Sequence, residues 1–147
     1  MDTIEKTRIA DNRESVRAFI DALFTKRDLT AVDVYLAEDF LNHDPPVGSG
    51  TSREGMRRAG AGALFRGAFP DWHSTTDFLV AENDMVVELQ RHRHSARRDL
   101  RPTGRTVTLR GINIFRLREG RIVERWAGST LGLLRRLGLA QARGSRE

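Results

Sequence analysis

The segment from Thr108 to Ala127 constrains the fold more than any other part of the chain, because it has the pattern of two β-strands joined by a tight turn. Apolar and polar residues alternate on both sides of Glu119-Gly120. Glycine supplies the positive φ that a two-residue hairpin turn requires. The sequence therefore predicts an antiparallel β-hairpin in this region.

The pairing expected across this turn places Phe115 opposite Glu124 and Asn113 opposite Trp126. These four residues would then share one face of the sheet. A carboxylate on a strand among aromatic neighbours is typical of a general acid or base, so Glu124 is the candidate catalytic group. The alternative is a solvated strand residue without a catalytic role. The opposite face would carry Ile112 and Ile114.

The length and composition of the chain predict a single globular domain. The chain has 147 residues, of which 39% are hydrophobic, and contains no cysteine. Disulfides, cysteine-ligated zinc and a thiol nucleophile are therefore excluded. The sequence has no apolar run of about 18 residues and no N-terminal hydrophobic region of the secretory type, so we expect a cytoplasmic protein without a membrane partner.

The positive charge is concentrated near the C-terminus. Residues 1–90 contain 10 Lys/Arg and 16 Asp/Glu, whereas residues 91–147 contain 15 Arg and 4 Asp/Glu, which gives net charges of −6 and +11. Such an asymmetry can indicate nucleic-acid binding. Few aromatic residues are free to stack on bases here and no nucleic-acid-binding motif is present, so we expect no nucleic-acid partner.

Apolar periodicity predicts helices in the first half of the chain and strands in the second. Residues 1–12 and 141–147 are expected to be flexible, and residues 13–140 to form the domain. The predicted helices are 13–26, 31–36, 52–67 and a short one after 130, and the predicted strands are 40–43, 72–80, 85–95, 105–117 and 121–127.

Helices followed by hairpin-linked strands indicate an α+β fold, in which a strongly bent antiparallel sheet wraps over the N-terminal helices. The concave face would form a conical pocket for a small apolar ligand, with Phe19 and Leu23 of the first helix among its lining residues. The face with Ile112 and Ile114 is too apolar to be left in water, so it predicts a homodimer.

The four histidines offer two candidate sites. His92 and His94 alternate on one strand and could ligate a metal, but neighbouring arginines disfavour a cation, so we predict no metal site. His92 is kept as a substrate-binding candidate. His43-Asp44, at the end of a short strand beside a proline-rich loop, is the better functional candidate. Its alternative role is a structural cap.

Five motifs in a fixed order resemble the SnoaL-like polyketide cyclase family from about Glu14 to Gly138. The resemblance implies a cone-shaped α+β barrel and chemistry without a cofactor on an aromatic polyketide of antibiotic biosynthesis. The motifs are Phe69-Pro-Asp-Trp-His73, Pro102-Thr-Gly-Arg105, Gly111-Ile-Asn-Ile-Phe-Arg116, Gly120-Arg-Ile-Val-Glu-Arg-Trp126 and Leu131-Gly-Leu-Leu-Arg-Arg-Leu-Gly138.

Cyclases of this family use an Asp on the last strand as acid/base, with a His on the preceding strand, to close the last ring of an anthracycline precursor by aldol condensation. The Asp position matches Glu124 if one residue is deleted, or Arg125 if the gap lies elsewhere. The His position falls on Phe115. Other members assist ring hydroxylation, which in this chain would require electrons from a separate reductase.

The sequence thus predicts a polyketide cyclase-like or hydroxylase-like enzyme, with a non-catalytic small-molecule binding module as the alternative. Glu124 would transfer the proton, Asn113 would hydrogen-bond a carbonyl or enolate oxygen, and His43 would assist. The remaining candidate substrate-binding residues are Phe115, Trp126, Asp44, Phe19, Leu23 and His92.

Overall fold

A computed structural model describes residues 1–46, 48–61, 73–98 and 101–129 of the chain. In this part, one strand lies between the second and third helices, and four strands follow the third helix. The helices are α1 (Thr3–Ile20), which continues into a π-helical turn (Asp21–Thr25), α2 (Ala31–Tyr35) and α3 (Arg53–Ala61). The strands are β1 (Leu36–Asn42), β2 (His73–Glu82), β3 (Met85–Arg98), β4 (Arg101–Arg118) and β5 (Arg121–Ser129).

The strands form a curved sheet in the order β1-β5-β4-β3-β2. β1 runs parallel to β5, and the other neighbours are antiparallel. The predicted α+β fold with N-terminal helices is confirmed, although the sheet is open rather than a closed barrel. No helix in the described ranges is long and apolar enough to cross a membrane.

The first helix begins well before the start that its apolar pattern predicted. Asp2 caps it by accepting a hydrogen bond from the backbone N–H of Glu5 at 2.7 Å, so residues 3–12 are helical. Apolar periodicity detects only the helical turns that pack on a core, and this first part of α1 extends beyond the core. The predicted residues 62–67 of the third helix, the C-terminal helix and the tail at 141–147 lie outside the described residues.

The hydrophobic core lies between α1 and the face of the sheet that this helix covers. Phe19 of α1 packs edge-on against Phe115 of β4, with ring centroids 6.2 Å apart. The sheet supplies the other side of the core near the β4–β5 turn with Val86, Leu117 and Ile122. The packing identifies this as the inner face of the sheet.

The β4–β5 hairpin has the predicted turn, because Glu119 and Gly120 adopt φ angles of 52° and 76°. Arg118 pairs with Arg121, as expected. The register then shifts, so that Phe115 lies opposite Arg125.

The predicted pairing of Phe115 with Glu124 and of Asn113 with Trp126 is therefore wrong. Leu117 pairs with Ile122 and Arg116 with Glu124, which leaves Val123 as the extra residue of a β-bulge. One extra residue reverses the faces of all side chains beyond it. Asn113 and Phe115 consequently share the inner face with Arg125, and the outer face carries Glu124 and Trp126 together with Ile112 and Ile114.

Candidate active site

The inner face of the sheet has an apolar half near the β4–β5 turn and a polar half farther from it. On each strand, the residues that follow the core side chains by alternation are polar. Most of their cross-strand partners are polar or small, but Glu88 also pairs with Leu79, and Arg125 pairs with Phe115. The polar half consists of Ser74, Thr76, Glu88, Gln90, Asn113 and Arg125.

Glu88 is the buried carboxylate of this polar half, with only 1% of its surface exposed. Its Oε1 accepts a hydrogen bond from the hydroxyl of Thr76 at 2.5 Å. Its Oε2 accepts one from the amide Nδ2 of Asn113 at 2.7 Å. Both carboxylate oxygens are thus held in place by neighbouring strands.

Arg125 brings a guanidinium group to the same region. Nη2 donates to Asn113 Oδ1 at 2.7 Å, and Nη1 donates to Asn42 Oδ1 at 3.2 Å. Burial lowers the pKa of Arg125 to about 10, although the carboxylates of Glu88 and Asp44 act in the opposite direction. The side chain therefore remains a cation at neutral pH.

Asn113 connects the two charged groups, since its amide oxygen accepts from Arg125 while its amide nitrogen donates to Glu88. This arrangement fixes the orientation of the amide. The sequence prediction did not include Glu88, and it treated Arg125 only as the alternative match to the catalytic Asp of the family. The sequence does indicate Glu88, because this charged residue interrupts the apolar run Val86-Val87-Glu88-Leu89 at a position that faces the inner side of the sheet.

The outer face brings together two of the three predicted catalytic residues. His43 Nε2 lies 3.0 Å from Glu124 Oε1, and Arg116 Nη1 donates to Glu124 Oε2 at 2.7 Å. The imidazole ring stacks on Trp126 with centroids 4.6 Å apart and an interplanar angle of 4°. Asn113, the third predicted catalytic residue, lies on the other side of the sheet, so the three do not converge.

The other predicted site residues occupy structural positions or lie outside the described part. Phe19, Leu23 and Phe115 belong to the core and have at most 1% of their surface exposed. Asp44 Oδ2 accepts from the backbone N–H of Ala127 at 2.9 Å and thereby ties the end of β1 to β5. The backbone of His92 lies in β3, but its side chain is not among those described.

The described ranges contain no group of three or more His, Cys, Asp or Glu side chains that could hold a metal ion. The hydrogen-bonding groups of the polar half are instead a carboxylate, a guanidinium, amides and hydroxyls. Such groups can transfer a proton and stabilise a developing negative charge.

Comparisons with known proteins agree with this architecture. A family model described as SnoaL-like polyketide cyclase matches residues 14–135. The search of curated proteins found no match.

Several solved structures share the fold. A candidate polyketide cyclase from Bacillus cereus ATCC 10987 has a TM-score of 0.68 at 21% identity and covers 89% of this chain and 83% of its own. IdmH, a candidate polyketide cyclase from Streptomyces antibioticus, has a TM-score of 0.66 at 26% identity, with coverages of 86% and 98%. AclR, a candidate hydroxylase from Streptomyces galilaeus, has a TM-score of 0.64 at 22% identity, with coverages of 90% and 99%.

Proposed function

Because the chain belongs to the SnoaL-like polyketide cyclase family, we propose that it is an enzyme that binds an aromatic polyketide-type molecule against the polar half of the inner face. The observation that carries this proposal is the network in which buried Glu88 and Asn113 are joined to the partly buried Arg125. A site for a flat aromatic molecule needs a few polar groups of this kind to fix the orientation of the ligand.

The energetics of burial support a functional role for the network. Removing charged groups from water is costly, and apolar residues of similar volume often stabilise a core equally well or better. Buried ionisable groups that lie in a potential binding region are therefore candidates for catalysis. Glu88 and Arg125 meet this description, whereas Arg118 and Asp39 form an exposed ion pair at the sheet edge.

In the proposed reaction, the Glu88 carboxylate removes a proton from the carbon next to a substrate carbonyl and leaves an enolate. The enolate carbon attacks a second carbonyl of the same molecule, which forms a carbon–carbon bond and an alkoxide. The alkoxide then takes the proton back from Glu88. Within the described part of the chain, Asn113 donates one amide hydrogen, to Glu88, so we assign its second amide hydrogen to a substrate oxygen. This step requires no cofactor.

The pair of His43 and Glu124 is a second candidate for the acid/base group. The 3.0 Å contact between them supports this role, because a carboxylate can orient an imidazole for proton transfer. Both side chains are partly exposed, and Arg116 also binds Glu124. The two candidates lie on opposite faces of the sheet, so they can be tested separately.

The test compares Glu88→Gln with Glu124→Gln, two substitutions that remove the same charge with little change in shape. Conversion of a methyl-ester polyketide precursor would be followed by mass spectrometry. We expect Glu88→Gln to lower turnover by about 100-fold or more and Glu124→Gln to change it by less than about threefold. The reverse result would assign proton transfer to the His43 and Glu124 pair. Full activity in both folded variants would favour the binding module.

Ring hydroxylation is the alternative reaction, and the similarity in fold to AclR is the observation that favours it. Molecular oxygen would then supply the added oxygen atom, and a separate reductase would supply the two electrons that reduce its other atom to water. The same mass measurement separates the two reactions, because cyclisation by aldol addition leaves the mass unchanged whereas hydroxylation adds one oxygen atom.

We also propose that the chain forms a homodimer through the outer face of the sheet. Phe78, Val80 and Ile112 are exposed there. Val80 pairs with Val87, which pairs with Ile114, so the apolar surface continues across three strands. A contiguous apolar surface of this kind is typical of a subunit interface.

The cytoplasmic location stays a prediction from the sequence.

A further inference from the structure

Arg125 has a buried hydrogen-bond donor that its surroundings leave unused. Its Nε has no hydrogen-bond partner among the described residues, although both terminal nitrogens of the same guanidinium are engaged. An unpaired donor on a buried charged group is unfavourable, and such groups are rare in folded proteins. This unpaired donor adjoins the network to which we assign substrate binding.

The guanidinium donates to neutral acceptors among the described residues, while the carboxylates of Glu88 and Asp44 act on its charge without a described hydrogen bond to it. The acceptors of Nη1 and Nη2 are the neutral amide oxygens of Asn42 and Asn113. In the described residues, the hydrogen-bonded connection between Glu88 and Arg125 runs through the amide of Asn113. A ligand oxygen that carries negative charge would gain both a hydrogen bond from Nε and an electrostatic attraction.

We infer that Arg125 is an anion receptor and that the substrate binds to it through an ionised oxygen of an aromatic or cyclic polyketone. This inference rests on the proposed function, since it names the substrate class of the same site. An enolate oxygen fits it best, because the proposed proton removal by Glu88 creates one. A carboxylate oxygen has the same binding chemistry, so the experiment includes both.

The experiment is a calorimetric titration of the full chain with three probes of similar size. 2-Acetylindane-1,3-dione is an enolate at neutral pH, 2-naphthoate is a carboxylate, and 2-naphthamide is its neutral counterpart. We expect at least one of the anions to bind about 10-fold or more tightly than 2-naphthamide, the range of a charge-assisted hydrogen bond. Tighter binding of the enolate than of the carboxylate would identify the enolate as the ligand, and the reverse would identify a carboxylate. Equal binding of all three would overturn the inference.

Two substitutions test whether Arg125 is the receptor. Arg125→Gln should abolish the preference for anions. Arg118→Gln removes the same charge from an exposed pair with Asp39 and should leave the preference unchanged. Loss of the preference in both variants would indicate a general charge effect and contradict the assignment to Arg125.

A measurement on the unaltered chain covers the case in which Arg125→Gln does not fold. In a ¹⁵N-labelled sample, the Nε–H resonance of Arg125 is the one that is missing from the spectrum of Arg125→Lys. This resonance should shift when the more tightly binding anion is added and should not shift when 2-naphthamide is added. An unchanged resonance at saturating anion would refute the inference.

The inference and the proposed function can fail independently. Anion binding at Arg125 with full turnover in Glu88→Gln would remove only the proposed mechanism. Loss of turnover in Glu88→Gln without any preference for anions would remove only the receptor role of Arg125.

Discussion

Phe115 and Arg125 lie directly opposite each other in the β4–β5 hairpin, both on the inner face of the sheet. Phe115 completes the core against α1, whereas Arg125 begins the polar network with Asn113. The boundary between core and candidate site thus runs between two paired residues. This relationship determines how the predicted site residues should respond to substitution.

Phe115 was predicted to stack on substrate, but its position in the core predicts that its main contribution is to stability. Phe115→Ala should lower the free energy of unfolding by about 3–5 kcal/mol, because it opens a cavity. Phe24→Ala is the matched control. Both rings lie 6.2 Å from Phe19, but Phe24 is 40% exposed, so its loss should cost about 1 kcal/mol or less. Urea denaturation measures both values, and equal losses would contradict the assignment of Phe115 to the core.

The proposed homodimer predicts that a charge on the outer face separates the subunits. Val80→Asp should convert the dimer to a monomer, since an unpaired carboxylate would be buried at the interface. Val34→Asp is the control, because Val34 lies on α2 and is 57% exposed, compared with 56% for Val80. Sedimentation velocity reports the mass of each variant. A monomeric wild-type chain, or a dimer that persists in Val80→Asp, would contradict the proposed interface.

The ion pairs between α2 and α3 predict a pH dependence of stability. Hydrogen bonds from Arg57 and Arg53 lower the pKa of Asp33 from 3.8 to about 2. A carboxyl whose pKa is lower in the folded state stabilises the fold above its unfolded pKa, and this contribution is lost as the pH falls towards the folded pKa. Asp33→Asn should therefore be less stable than the wild type at pH 7, and the difference should shrink between about pH 4 and pH 2.

Urea midpoints measured across this pH range test the prediction. Asp33 is exposed, so the difference should be small and should decrease at high salt. Asp11→Asn, which removes another exposed carboxylate from a helix, controls for the change in net charge. A difference between wild type and Asp33→Asn that stays constant down to pH 2 would disprove the contribution of the ion pairs.

Most of the fold followed from local patterns in the sequence. The change from a helical period to alternation of apolar residues located the boundary between helices and sheet. The positive φ required at Gly120 located the hairpin turn, and this position was confirmed. Both features depend on interactions between residues close in the chain, which a sequence displays directly.

The tertiary structure decided which side chains share a face. Ile122 and Val123 are adjacent and both buried. This break in the alternation marks the bulge, and it can be recognised only once the position of the core is known. The bulge exchanged Glu124 for Arg125 on the inner face. The contacts of Arg125 and Glu88 with Asn113 join three successive strands, and they form only when the register of each strand pair is set. Their strength depends on burial, which no local pattern encodes. Local sequence patterns were therefore enough to predict the family, most of the elements and the turn, whereas burial in the folded sheet selected the charged groups of the candidate site.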